Sequence, residues 1–211
     1  DEILGYHLEQ AYRYGAELGA PDAAVGSRAA ERLATAARAA MARQDVVAAV
    51  NLLERAVELV PDGATRAVFF VQLGDALKDR DELARAQAAL EKGVALAREA
   101  GDAHTEWLGR IWLAVVRMLQ DPEGAIERVL EEARAAIAAR EAEADHEVLA
   151  AAWGRIVANT WRGEVDMHAF ERALFHARQA GSVALEVNVA GMRAPDFIWG
   201  PGRVEEGLRY A

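Results

Sequence analysis

The chain has 211 residues, a formal net charge of −10 and no cysteine. That length fits one compact domain or a short repeat array. The acidic balance argues against nucleic acid as a main partner, because phosphate binding needs a basic footprint, and against an anionic membrane surface. Without cysteine there is neither a disulfide framework nor a thiolate metal site, and a reducing cytoplasm is the expected location. Hydrophobic residues make up 53% of the chain and aromatics only 7%, with alanine dominant, so helix packed on helix is the expected architecture. The longest apolar run, Ile111 to Val116, is bracketed by Arg110 and Arg117 and is far short of the roughly 18 residues of a membrane span.

In chain order, the spacing of Ile3, Leu4, Leu8, Ala11, Tyr12, Ala16 and Leu18 predicts an amphipathic leading helix within residues 1–21. It does not follow the pattern of what comes after, and reads as a cap or as the tail of a preceding domain. Leu33, Ala36, Ala37 and Ala40 mark the next helix. Ala49, Leu53 and Ala56 mark its partner, which Pro61 stops. Arg43-Gln44-Asp45 is the tight turn between them.

Residues 67–102 carry a bulky residue followed by Leu73-Gly74, then Leu77, and then Ala86, Leu90 and Gly93 on a second helix. Small residues at those positions let two helices cross closely, and the large ones fill the space between neighbouring pairs. Asp79-Arg80-Asp81 is the internal turn. Trp107, Leu108, Ile111, Trp112 and Val115 mark a further first helix. Asp121-Pro122-Glu123 predicts a turn with proline at the first helical position of a longer second helix, whose buried stripe is Val129, Ala133, Ala136 and Ile137. Ala150, Trp153, Gly154 and Val157, then Phe170 and Ala173, repeat the pattern around the turn Arg162-Gly163-Glu164. Ala100-Gly101-Asp102 and Ala180-Gly181-Ser182 are near copies, each closing a helix on a glycine. Val187, Ala190, Gly191 and Ala194 begin a last unit, and Val204 and Leu208 a helix that stops at Ala211. The chain is therefore expected to be a piece of a longer protein.

The small anchors Ala37, Gly74, Gly154 and Gly191 lie 37, 80 and 37 residues apart, near one or two multiples of a helical-pair repeat. The pattern resembles tetratricopeptide repeats, slightly long and degenerate. It predicts an all-α, right-handed solenoid of antiparallel helix pairs. The units fall at about 28–62, 64–102, 104–144 and 146–181, with a truncated one at 183–211, inside an array spanning 22–211.

The opening Glu2-Ile3-Leu4-Gly5-Tyr6-His7-Leu8-Glu9-Gln10-Ala11-Tyr12-Arg13-Tyr14 resembles the segment that follows the P-loop ATPase module of large bacterial signalling ATPases. Residues 47–56, Asp121-Pro122-Glu123-Gly124 and residues 172–181 are similar to their tetratricopeptide-like arrays. Many such proteins carry a class III adenylate/guanylate cyclase domain, and others a LuxR-type DNA-binding domain. The resemblance implies a regulatory array beside an ATPase switch. It carries over no catalytic residue, since the chain has no G-x-x-x-x-G-K-[ST] loop. The scarcity of lysine, confined to Lys78 and Lys92, fits a GC-rich bacterial source.

Nothing in the sequence builds a catalytic or metal centre. Asp166, His168 and Glu171 cluster, but two groups on one helix face do not complete a ligand set. Ser182 follows a helix-ending glycine and reads as an N-cap, and Ser27 lies in the first turns of a helix; neither sits in a nucleophile elbow. Trp112 and Trp153 fall on the apolar stripes and read as core packing; Trp161, beside a turn, and Trp199, in a loop, are the better candidates for exposure, with Trp161 read as an anchor and the Trp199 loop expected to tuck against a following repeat. Projecting the first helices outward gives a candidate interaction surface of Arg38, Met41, Val71, Asp75, Lys78, Arg117, Arg155, Asn159 and Trp161. A non-catalytic module is expected, without cofactor, that binds a protein or peptide segment, the ATPase or cyclase module of the same chain being one candidate. The alternatives are a small-molecule sensor with a pocket between helices and a structural or self-associating spacer.

Overall fold

The computed structural model describes residues 1–160 and 166–192. Within them lie ten helices and no strand: α1 (Glu2–Glu17), α2 (Ala23–Ala42), α3 (Val46–Glu58), α4 (Ala64–Asp79), α5 (Leu83–Ala100), α6 (Ala103–Gln120), α7 (Ala125–Arg140), α8 (His146–Thr160), α9 (Met167–Gln179) and α10 (Val183–Gly191). Polar side chains start many of them by accepting orphan amides: Asp22 from Ala24, Asp45 from Ala48, Asp102 from Thr105, Asp166 from Ala169 and Ser182 from Leu185. The stops are equally local. Gly101 and Gly181 take left-handed φ values of 70° and 66°, and the predicted turns at 43–45 and 79–81 place Gln44 and Asp81 in the same region. No helix of the described residues is long and apolar enough to cross a membrane.

The chain divides into two compact units, Asp1–Gln120 and Asp121–Ala211. The division falls between α6 and α7, the two helices that the repeat register assigns to one pair.

In unit 1 each helix packs on the next, and α4 also reaches α6. The direction of packing can be read from which residues meet. A Cβ on Gly74 would lie 2.4 Å from Leu90, and one on Gly93 would lie 2.9 Å from Val71. As the number rises along α4 it falls along α5, so the two are antiparallel. From α5 to α6 the order reverses again: Glu91 pairs with Arg117, and Arg98 with Glu106. Alternate helices therefore run parallel. Val71 meets Gly109 and Lys78 meets Trp112 between α4 and α6. A row of ion pairs does the same for the other set. Glu9 and Arg13 of α1 reach Arg55 and Glu58 of α3, and Glu54 of α3 reaches Arg85 of α5.

The leading helix differs from expectation. Its buried face is Gly5 and Glu9, with Leu8 and Tyr12 packed on the core beside them. Ile3 and Leu18, assigned to the apolar stripe by their spacing, are 76% and 85% exposed. The cause is Glu9, 3% exposed at the centre of the contact and clasped by Arg13 and Arg55. Burial alone would raise its carboxyl pKa, but hydrogen bonds from Arg55 and then Arg13 outweigh burial and hold it below the ordinary value. Asp1 and Gly5 meet Arg32 and Leu33, and Tyr12 meets Gly26, so α1 packs antiparallel on α2; the pairs Glu9–Arg55 and Arg13–Glu58 set it parallel to α3. It thus follows the alternation that its sequence pattern does not show.

In unit 2, α7 packs on α8, α8 on α9 and α9 on α10, and α8 also reaches α10. His146 meets His176 and Trp153 meets His168, so α8 and α9 are antiparallel. Phe170, Ala173 and Val157 centre its core, with Trp153 packed against them.

Several local expectations need correction. Pro122 is not the first helical residue; α7 begins at Ala125 behind a left-handed Gly124, and the Pro122 carbonyl accepts the Ala125 amide. At 16 residues α7 is also shorter than its pair partner α6, which has 18. Ile137 is half-buried rather than buried, and Trp112 and Trp153 are half-buried with their rings packed against the core. Of the small anchors, Ala37 is buried and Gly74 sits at a tight crossing. Gly154 has ordinary contact distance to Met192, and nothing lies within 4 Å of a Cβ built on Gly191. The turn 162–164, Trp161, Ala194, Trp199 and the helix from Val204 lie outside the described residues.

This difference between anchors is testable by chemical denaturation. Gly74→Ala is expected to cost about 1–3 kcal/mol, because Leu90 and the Ala86 carbonyl confine the added methyl. Gly154→Ala, at the equivalent register position, should be neutral or stabilise by up to about 1 kcal/mol through helix propensity.

Candidate interaction surface

The first helices of the predicted pairs in unit 1 are α2, α4 and α6, and their outward residues form the candidate surface. Its best-defined part joins α4 to α6. Lys78 lies in the last turn of α4, where a cation also complements the helix C-terminus. Its Nζ is 3.2 Å from Asp75, contacts Asp79, and lies 5.2 Å from the centre of the Trp112 ring. The Lys78 side chain is 15% exposed. Burial works to lower its pKa, but Asp75 and Asp79 outweigh burial, and the ammonium is held above its ordinary value. A permanently charged, locally neutralised lysine over an indole is a cation–π contact. It offers a polar and aromatic surface and cannot serve as a base near neutral pH.

The other candidates divide by position. Arg38 is exposed and donates to the Thr35 hydroxyl at 2.9 Å on its own helix. Met41 is half-buried and packs on the core. Arg117 is exposed and turns toward Glu91 of α5, at 3.0 Å. Val71 is not on the surface at all: it is 5% exposed, wedged between Gly93 of α5 and Gly109 of α6. The two glycines bring three helices together at this point, so the residue that the register projects outward is enclosed. In unit 2, Arg155 and Asn159 are half-buried one turn apart on α8, and the Asn159 amide donates to the Arg155 carbonyl at 2.8 Å. Trp161 lies outside the described residues.

Two clusters escaped the sequence reading. In unit 1, Arg110 stacks 3.8 Å over the Trp107 ring, while Glu106 accepts from Arg98 at 2.8 Å. The i, i+3 spacing of Trp107 and Arg110 carried that signal. In unit 2, His146, Phe175 and His176 gather from positions about 30 residues apart, which no local pattern shows. Among the described residues, no group of three or more His, Asp or Glu is arranged to hold a metal ion.

Comparison with models of known protein families gives no match, and comparison with curated proteins gives none either.

Lys78→Met keeps an aliphatic side chain over Trp112 but removes the ammonium that pairs with Asp75 and Asp79. The expected loss is about 1–2 kcal/mol near pH 7. Because the folded pKa is raised, the lysine stabilises fully below its unfolded value of about 10.4, and this is lost as pH rises through the folded value. Denaturation midpoints from pH 7 upward should fall more steeply for the wild type than for Lys78→Met.

Proposed function

We propose that this chain is a non-catalytic helical-repeat module that binds a protein or peptide segment along its first helices. In this reading the helix pairs stack as a tetratricopeptide-like, right-handed solenoid. The observation that carries it is the double order of contacts in unit 1. Neighbouring helices are antiparallel, alternate helices are parallel, and they meet at small residues: Gly74 against Leu90, and Gly93 and Gly109 against Val71. That is how stacked helix pairs share one core while leaving a continuous face of first helices open. The two faces also differ chemically. The leading helix and the second helices are tied by charged pairs, Glu9 with Arg55 and Glu54 with Arg85, whereas α4 and α6 present Lys78 and Trp112. Half-buried aromatic and amphipathic residues are the better anchors for a peptide.

The setting proposed for the module is the cytoplasm of a bacterium, inside a larger signalling ATPase with a cyclase or DNA-binding output. The resemblance of residues 2–14 and of the later segments supports this setting. A ligand that prefers one curvature of the array would bias the attached switch by its differential affinity for the two states.

The test is peptide selection against the intact chain, followed by amide chemical-shift mapping of the selected binders. Shifts concentrated on α2, α4 and α6, and at least a tenfold weaker affinity in the Arg38→Glu/Lys78→Glu variant, are expected. Binders that map to the α3 and α5 face, or that bind the double variant equally well, would refute the assignment of the surface.

A further inference from the structure

Two imidazoles meet inside unit 2. His146 opens α8 and His176 lies in the last turn of α9, with their Nδ1 atoms 2.9 Å apart. Phe175 presses edge-on against both rings, at 6.2 Å and 5.0 Å between centres. His146 is half-buried, whereas His176 is 4% exposed and its Nε2 has no hydrogen-bond partner among the described residues.

Two facing Nδ1 atoms share a single proton, since one must donate and the other accept. The enclosed Nε2 decides which does so. A buried N–H without an acceptor is rarer and costlier than an underused lone pair. His176 therefore carries its proton on Nδ1 and donates, and His146 accepts on Nδ1 with its own proton on Nε2. A second proton has two places to go. On His146 Nδ1 it would set two N–H groups face to face. On His176 Nε2 it would make an enclosed imidazolium.

The charged groups around His176 oppose that second outcome. Arg172 lies one turn back on α9, His146 faces it from α8, and Glu141 at the end of α7 is taken up by Arg172 at 2.7 Å. From α10, Glu186 is paired with Arg178 at 2.7 Å. Burial first, then Arg172 and His146, push His176 down to about 4, with Glu141 acting the other way.

We propose that the His146–His176 pair is an acid-sensitive clasp, fastening the start of α8 to the end of α9 through one shared proton, whose stabilising effect on unit 2 is lost in acid. Folding favours neutral His176, so the stabilisation is complete above the unfolded histidine value of about 6.5 and is lost as pH falls from there toward 4. The device is independent of which ligand the module binds.

The test uses the intact chain in two measurements. The first is denaturant unfolding at pH 7.5 and pH 5.0. The wild type should lose up to about 30-fold in the folding equilibrium of unit 2 between the two. His176→Phe, which keeps an apolar ring in the site but has no proton to take, should lose far less. The second needs no variant: long-range imidazole nitrogen spectra of the wild type. These should show His176 as the Nδ1–H tautomer at pH 7.5 and still neutral at pH 5.0. Equal losses in wild type and variant, or a His176 ring that titrates near 6.5, would overturn the proposal. So would displacement of both Nδ1 resonances on adding zinc at pH 7.5, which would make the pair a metal site instead.

Discussion

Val71 sits where three helices cross, and the rest of unit 1 is arranged around that point. Its methyls fill the room left by two missing side chains, at Gly93 on α5 and at Gly109 on α6. A Cβ on Gly93 would stand 2.9 Å from Val71 Cγ2, and one on Gly109 2.7 Å from Val94 Cγ2. Both distances are shorter than carbon–carbon contact permits. Close packing of this kind tolerates little change in volume, so the crossing fixes how far apart α4, α5 and α6 can lie. Alanine-rich faces continue the same spacing toward α2 and α3, where Ala29, Ala30, Ala49 and Ala56 are fully enclosed.

Close crossing of neighbours brings alternate helices within side-chain reach, and the two sets of alternates use that reach differently. The set α1, α3 and α5 is joined by carboxylates and arginines. Most of these pairs are solvated and contribute little individually. Glu9 is the exception, because it is buried and doubly bonded, and it fixes the angle at which α1 joins the bundle. The set α4 and α6 is joined by Val71 against Gly109 and Lys78 over Trp112. The proposed peptide lies along the second set, where Lys78, paired with Asp75 and Asp79, covers the Trp112 ring.

Helices, turns and tight crossings were legible because they rest on local chemistry. The spacing of Leu73-Gly74 to Leu90, the glycine stops at Gly101 and Gly181, and the Ser182 cap each depend on a few adjacent residues. Three features were not legible, each for a physical reason. The place of α1 depends on a carboxylate in a buried position, which a hydrophobic stripe cannot show, and the stripe of Ile3 and Leu18 misleads. Val71 looks like a surface position until Gly109, 38 residues on, is seen to enclose it. The histidine clasp and the Glu54–Arg85 and Glu141–Arg172 pairs join residues 30 or 31 apart, a separation set by tertiary packing rather than by any helix period. Of the candidate surface, Arg38 and Arg117 are exposed, whereas the enclosure of Lys78 by its partners on α4 and α6 needed the fold.

The most direct test of the alternation is a set of proton–proton Overhauser contacts from Gly109. With α4 and α6 parallel and in contact, the Gly109 α-protons must show contacts to the methyls of both Val71 and Val94. Contacts to Val94 alone, with the α5–α6 pairing otherwise intact, would show that α4 and α6 do not meet and would contradict the stacking on which the proposed binding face depends.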